Sequence, residues 1–388
     1  MIRVMVVDDS ALVRRIATDI LKEDPEIMVV ATASQAEFAL QKLDKEQPDV
    51  ITLDLEMPGM GGLEAIRRIM AIRPTPIIVL SAHAQKGAEL TLQALDLGAV
   101  DFVLKPSNSL SGGIATIAQE LVEKVKDASK IVFRAPTAAT PGGIFAATPG
   151  GISAATPGGI SAATPGGIFA PHAAVEAPAR SAPRSTGEQA MGDYDLVAIG
   201  TSTGGPVALK TVLTMLPGDL PVGIVVVQHM PPVFTKAFAE RLDSCCALAV
   251  KEAENGDAIL PGRVLLAPGN FHMTVSRFGT EPRVALNQND NVNGHRPSID
   301  VLMHSVALEY GAHAVGVIMT GMGKDGAEGL HELHKKGGHV IAQDKESSVI
   351  YGMNREVVQN GDAHEVASVE AIAGRICDSL RARAARRG

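Results

Sequence analysis

Cysteine is scarce in this 388-residue chain, no apolar run is long enough to cross a bilayer, and there is no excess of positive charge. Cys245, Cys246 and Cys377 are odd in number, two are adjacent, and none shows C-x-x-C spacing. That excludes a disulfide framework and a zinc site, and all three are expected to be reduced. Spanning a membrane takes about 18 consecutive apolar residues, which the chain does not contain. Its opening, "MIRVMVVDDS", turns acidic at once and has no cleavage site, so a cytoplasmic protein without membrane insertion is expected. The formal charge of −8 is spread along the chain, which argues against nucleic acid as a partner. The length exceeds one ordinary core, so two or more domains are expected.

What is present divides the chain clearly. Between Thr140 and Pro171 an eight-residue unit recurs in four copies, "TPGGIFAA", "TPGGISAA", "TPGGISAA" and "TPGGIFAP". Each copy offers one large apolar residue beside a proline and two glycines, too little surface to offset the entropy of ordering it. With the Pro/Ala/Ser stretch that follows, this reads as a flexible linker over residues 131–191. Before it, in residues 1–130, the runs "VMVV", "VVATA", "VITL", "PIIVLSA" and "FVLKP" alternate with helical patterns. After it, in residues 192–388, the alternation returns through "YDLVAIG", "VGIVVVQH", "GRVLLAPG" and "HAVGVIMTG". Both halves are therefore α/β, each a doubly wound parallel sheet. The second is expected to carry an antiparallel edge around "FHMTVSRFG" and "PRVALNQ".

In open parallel sheets the working groups gather beyond the carboxyl ends of the strands. Asp8 and Asp9 end the first strand, Asp54 the third, Ser81 the fourth and Lys105 the fifth. Three carboxylates on one rim raise one another's pKa unless a cation lies between them, and Mg²⁺ suits oxygen ligands of this kind. An ammonium at Lys105 would hold a phosphoryl oxygen and make Asp54 a credible nucleophile toward a phosphodonor. Ser10 could serve simply as a helix N-cap. In order, "VVDDS", "LDLEMPGMGG", "LSA" and "LKPS" make this half resemble the response-regulator receiver domain, a flavodoxin-like fold. That resemblance implies phosphorylation on Asp54, Mg²⁺ held by Asp8, Asp9 and Asp54, and a switch through Ser81, Phe102 and Lys105.

After the linker, "AIGTSTGGP" admits three explanations. A dinucleotide site needs G-x-G-x-x-G, and the spacing here fails it. A plain strand-to-helix loop with Pro206 in the first helical turn is the second. The third is a nucleophile: Ser202 lies where amides and a helix dipole can stabilise an oxyanion, with Gly204 and Gly205 leaving room. Such a serine needs a base and an acid. His229 ends the strand "VGIVVVQ", and Asp325 follows another strand in the glycine-rich "MTGMGKDG". All three then fall on one rim, as a triad requires. Their chain order differs from the common hydrolase orders. His331 and His334 share a helix face in "HELHKKGG", but the pattern is not H-E-x-x-H, and Gly337 ends the helix nearby.

The motifs "IGTSTGGP", "VVVQHMPPVFTKAFAERL", "LLAPGNFHM", "GHRPSIDVL", "IMTGMGKDG" and "AQDKESSVIYGMNREV" make this half similar to the CheB chemotaxis methylesterase family, and the order receiver, linker, esterase matches as well. The resemblance implies a Rossmann-like esterase domain that hydrolyses glutamyl γ-methyl esters, and deamidates glutamines, on methyl-accepting chemotaxis receptors. It implies Ser202 as nucleophile, His229 as base, Asp325 as its partner, Met322 as an oxyanion contributor and Thr203 lining the site, with no cofactor for the esterase. It further implies the histidine kinase CheA as phosphodonor, a receiver that covers the cleft until phosphorylated, and a monomer. The chain departs from the family at Thr201, where alanine is usual, and at Asn354, where proline is usual. "GHRPSID" is expected to shape the cleft, with His295 either structural or touching substrate. Two other readings remain open: a binding switch with an inert esterase half, and an esterase for small molecules.

Overall fold

The structure is a computed structural model that describes residues 1–82, 85–105, 114–133, 147–149, 196–277 and 281–385. Five βα repeats come first: β1 (Ile2–Val7), α1 (Ala11–Lys22), β2 (Ile27–Ala33), α2 (Ala36–Glu46), β3 (Val50–Asp54), α3 (Gly62–Ile72), β4 (Ile77–Ser81), α4 (Gln85–Asp96), β5 (Asp101–Leu104) and α5 (Ile114–Ala128). The sheet runs β2-β1-β3-β4-β5 with every pair parallel. β3 and β4 are buried at every position, as strands covered by helices on both faces must be. In α3 the buried residues Ala65, Ile66, Ile69 and Met70 form one apolar stripe toward the sheet. Ser10 caps α1, its Oγ accepting from the Val13 amide at 3.4 Å.

β6 (Ile131–Phe133) pairs antiparallel with β7 (Ala147–Pro149). The rest of the flexible linker expected over 131–191 lies outside the described residues.

The second half comprises β8 (Leu196–Thr201), α6 (Gly205–Met215), β9 (Gly223–Gln228), α7 (Phe234–Cys245), β10 (Ala249–Glu252), β11 (Arg263–Leu266), β12 (His272–Ser276), β13 (Arg283–Asn287), α8 (Ile299–Glu309), β14 (Ala314–Ile318), α9 (Ala327–Lys335), β15 (His339–Gln343), α10 (Met353–Gln359), β16 (Glu365–Ala367) and α11 (Val369–Ala385). Seven strands form one sheet in the order β10-β11-β9-β8-β14-β15-β16. It is parallel throughout. The antiparallel pair expected from the sequence exists, but β12 and β13 form a separate two-stranded sheet. Both edges of the main sheet are already taken by the short strands β10 and β16, so the hairpin packs on α8, where the Val275 amide donates to Ser305 Oγ at 3.0 Å.

The two halves pack against each other through α4 on one side and α6 and α7 on the other. Phe102 of β5 stacks on Phe234 at the start of α7, with ring centroids 4.5 Å apart and an interplanar angle of 20°. Asp96 of α4 pairs with Lys210 at 3.0 Å and with Arg241. Ile350 joins the apolar cluster of Ile117 and Leu121 on α5, and Met322 and Val349 pack against it.

Candidate functional site

The direction of winding in the seven-stranded sheet reverses at β8: the chain first builds toward β9 and β10, then returns to place β14 on the other side. Such a switch point opens a crevice beyond the strand ends. Ser202 follows β8, His229 follows β9, and Asp325 lies in the loop after β14, so three neighbouring strands deliver the three side chains. The turn holding Ser202 needs its glycines. Gly204 sits at φ 77°, where a side chain is strained, and a Cβ on Gly205 would lie 2.0 Å from Gln228 Oε1.

Ser202 Oγ is 3.1 Å from His229 Nδ1, and His229 Nε2 is 2.8 Å from Asp325 Oδ2. A serine hydroxyl donating to Nδ1 requires the proton on Nε2, which then donates to the carboxylate. The two ring nitrogens are thus used opposite to the chymotrypsin arrangement, in which Nε2 faces serine. Asp325 is buried at the N-terminus of α8. Its Oδ1 accepts from Ser298 Oγ at 2.8 Å, Asn293 Nδ2 at 2.9 Å and the Asp300 amide at 3.2 Å, while Oδ2 accepts from the Ile299 amide at 2.7 Å. Burial by itself would raise this carboxyl, but the hydrogen bonds from His229, Asn293 and the Ile299 amide outweigh it and hold it well below the usual range.

Further residues beyond the three hold the site. Gln228 ties the strand ends together: its Oε1 accepts from Thr201 Oγ1 at 2.7 Å, and its Nε2 donates to the carbonyls of Ser202 and His229 at 3.0 and 2.9 Å. The unusual Thr201 is thereby satisfied. Asn354 donates through Nδ2 to the Gln343 carbonyl and to Ser348 Oγ at 2.9 and 2.8 Å, while its buried Oδ1 has no hydrogen-bond partner among the described residues. Ser298 carried a readable signal, a serine just ahead of an apolar helix, whereas Asn293 and Asp300 carried none for this site. His295 stands edge-on to His229, with ring centroids 3.8 Å apart. Burial, and then the neighbouring His229, push its pKa down to about 3, so its ring is neutral. His331 and His334 turn Nδ1 toward the side chain and the carbonyl of Asp362, each at 2.8 Å.

A second constellation lies at the rim of the first sheet. Asp8 and Asp54 are buried and Asp9 is exposed, and ligand oxygens of all three lie within 4.8 Å of one another. Lys105 Nζ is 2.6 Å from Asp54 Oδ2 and 3.2 Å from Asp8 Oδ2. Burial and the Asp54 charge raise the Asp8 carboxyl even though Lys105 opposes them. Burial would lower Lys105, but its bonds to Asp54 and Asp8 raise it overall. Three carboxylates against one ammonium leave negative charge uncompensated, and these hard oxygen donors fit a divalent cation such as Mg²⁺. Ser81 is engaged with α4, its Oγ accepting from Thr91 Oγ1 at 2.7 Å.

The first half of the chain reaches the Ser202 site through the start of β5. Thr203, next to Ser202, donates through Oγ1 to Asp101 Oδ2 of β5 at 2.7 Å. Lys124 of α5 lies 3.2 Å from Asp101 Oδ1 and 2.9 Å from Glu120, and donates to the Phe102 carbonyl at 2.7 Å. Burial alone would lower the Lys124 pKa, but these two carboxylates raise it overall. Thr203 and Met322 are thus covered by β5 and α5, and Ser202 itself is only 9% exposed.

Two family models match the chain: the response regulator receiver domain over residues 4–111 and the CheB methylesterase over residues 197–376. A protein-glutamate methylesterase/protein-glutamine glutaminase of Symbiobacterium thermophilum is 46% identical over 375 residues, covering 97% of this chain and 96% of the relative. One of the same description from Syntrophotalea carbinolica is 42% identical over 382 residues, covering 98% of each. Among solved structures, the CheB methylesterase catalytic domain of Thermotoga maritima is 42% identical, covers 48% of this chain and 98% of its own, and has a TM-score of 0.47.

Proposed function

Starting from the fact that the chain belongs to the protein-glutamate methylesterase/protein-glutamine glutaminase family, we propose that it is a phosphorylation-activated methylesterase acting on glutamyl γ-methyl esters of methyl-accepting chemotaxis receptors. The observation that carries this reading is the hydrogen-bonded chain Ser202–His229–Asp325 at the sheet's switch point.

In the proposed reaction the Ser202 hydroxyl proton passes to His229 Nδ1 as Oγ bonds to the ester carbonyl carbon. The amides of Ser202 and Gly321 are already engaged by the carbonyls of Thr320 and Ile350. The family resemblance assigns the oxyanion to the Met322 amide, with Thr203 lining the site. Collapse breaks the bond to methoxide, which takes the proton from Nδ1 and leaves as methanol. Water then gives a proton to Nδ1 and attacks the acyl carbon; the acyl–Oγ bond breaks, Oγ takes the proton back from Nδ1 to restore Ser202, and the released glutamic acid loses its proton to solvent as the carboxylate. Asp325 stays ionised and keeps the Nε2–H tautomer. With glutamine in place of the ester the same steps release ammonia, which gives the deamidase activity.

In our reading, residues 1–130 form the receiver, 131–191 the linker and 192–388 the esterase domain. Asp54 accepts phosphate from the chemotaxis histidine kinase CheA, and Asp8, Asp9 and Asp54 would hold a Mg²⁺ that neutralises the phosphate charge. Ser81 leaves Thr91 to meet the phosphoryl group together with Lys105, and Phe102 follows, loosening β5 from Phe234 and Thr203. The covered site then opens to a receptor segment. The protein works as a cytoplasmic monomer. Methanol release from methylated receptor membranes tests the assignment: Ser202→Ala is expected to abolish it while leaving Asp54 phosphorylation intact. Activity retained in that variant removes the nucleophile.

A further inference from the structure

Val292, Asn293, Gly294 and His295 form a two-residue hairpin turn, closed by the Val292 amide to the His295 carbonyl at 3.1 Å and the reciprocal bond at 2.9 Å. Asn293 and Gly294 have φ of 53° and 80°, the positive pair that an Asn-Gly turn adopts readily. The turn has two outcomes at the site. It sets the His295 ring against His229, and it inserts the Asn293 amide between two buried carboxylates. Asn293 Nδ2 is 2.7 Å from Asp300 Oδ2 and 2.9 Å from Asp325 Oδ1. Asp300 also accepts from the Gly329 amide, which donates to its Oδ1 at 2.8 Å, and from the Gly326 amide.

Two carboxylates this close repel unless a donor lies between them. We propose that Asn293 is a positioning residue for the esterase reaction: by donating one N–H to each carboxylate it separates their oxygens and anchors Asp325 through Oδ1, so that Oδ2 remains aimed at His229 Nε2. This role rests on the reading of His229 as the base. The groups facing that imidazole are Asp325 and Ser202 within hydrogen-bond reach, His295 edge-on, Asp300 behind Asp325, and Lys124 beyond His295.

Asn293→Asp separates this role from a merely structural one. Asp-Gly suits the same turn, and the shape is kept while a donor becomes a third carboxylate. Asn293→Gly removes the side chain where glycine tolerates the backbone angle, and reads the role if the aspartate variant does not fold. The full chain, with and without a phosphodonor, is assayed on a small methyl ester across pH. The expected result is an unchanged KM with kcat lower by about 10- to 100-fold, the loss of one hydrogen bond to a charged group. In Asn293→Asp the acidic limb of kcat/KM should also move to higher pH, because added negative charge favours the protonated imidazole. Wild-type kcat and an unmoved limb in a folded variant overturn the proposal. Ser202→Ala assayed alongside keeps the two questions apart: activity there defeats the triad reading, while inactivity there with unaltered Asn293 variants defeats only the role of Asn293.

Discussion

Removing the Asp101 carboxylate should raise the activity of the unphosphorylated protein. Asp101 Oδ2 accepts the Thr203 hydroxyl at 2.7 Å across the junction, beside the residue that would attack the ester. A hydrogen bond to a charged group contributes about 1.5–3 kcal/mol, and every 1.4 kcal/mol is about a factor of ten. Asp101→Ala should therefore shift the closed-to-open ratio roughly 10- to 100-fold toward open. Lys124 keeps Glu120 and the Phe102 carbonyl as partners, so the variant does not strand a buried ammonium. The Phe102–Phe234 stack and the Asp96 ion pairs persist, so closure weakens without vanishing. The assay is methanol release from methylated receptor membranes without phosphodonor. Basal release should climb toward the phosphorylated wild-type rate, and Thr203→Ser, which keeps the hydroxyl, should stay low. Basal release equal to wild type, in a variant that still incorporates phosphate at Asp54, would show that this junction does not restrain the site.

Further outcomes follow from the same geometry. Asp325→Asn should lower kcat by about 10⁴-fold, as loss of the carboxylate partner does in serine hydrolases, measured on a small methyl ester. Asp54→Asn should leave basal release intact but remove its stimulation by a phosphodonor, and chelating divalent cations should do the same to the wild type. His295 is held neutral, its pKa near 3 against an ordinary 6.5. Its contribution to stability is therefore present above pH about 6.5 and is lost as pH falls toward 3, by up to about 1.4 kcal/mol per pH unit. Denaturant unfolding at several pH values should show a shallower decline for His295→Phe than for wild type.

The repeats of apolar strand and amphipathic helix were readable because each is local: a buried parallel strand must be apolar along its length, and its helix must carry one stripe. β10, β15 and β16 were not legible because strands of three to five residues resemble loops, and only the finished sheet shows that β10 and β16 close its edges while β15 lies between β14 and β16. Ser202, His229, Asp325 and the acidic rim were legible because strand ends in such sheets collect working groups. Gln228, Asn293 and Asp300 were not, since an amide or a carboxylate in a loop has no meaning until its partner arrives from a distant segment. The sequence by itself determined which chemistry each rim could carry, since that depends on residue type and on place along the strand. Only the tertiary structure decided which imidazole nitrogen faces the serine, which donors hold Asp325, and that β5 lies across Thr203, because these are matters of orientation between segments 25 to 102 residues apart.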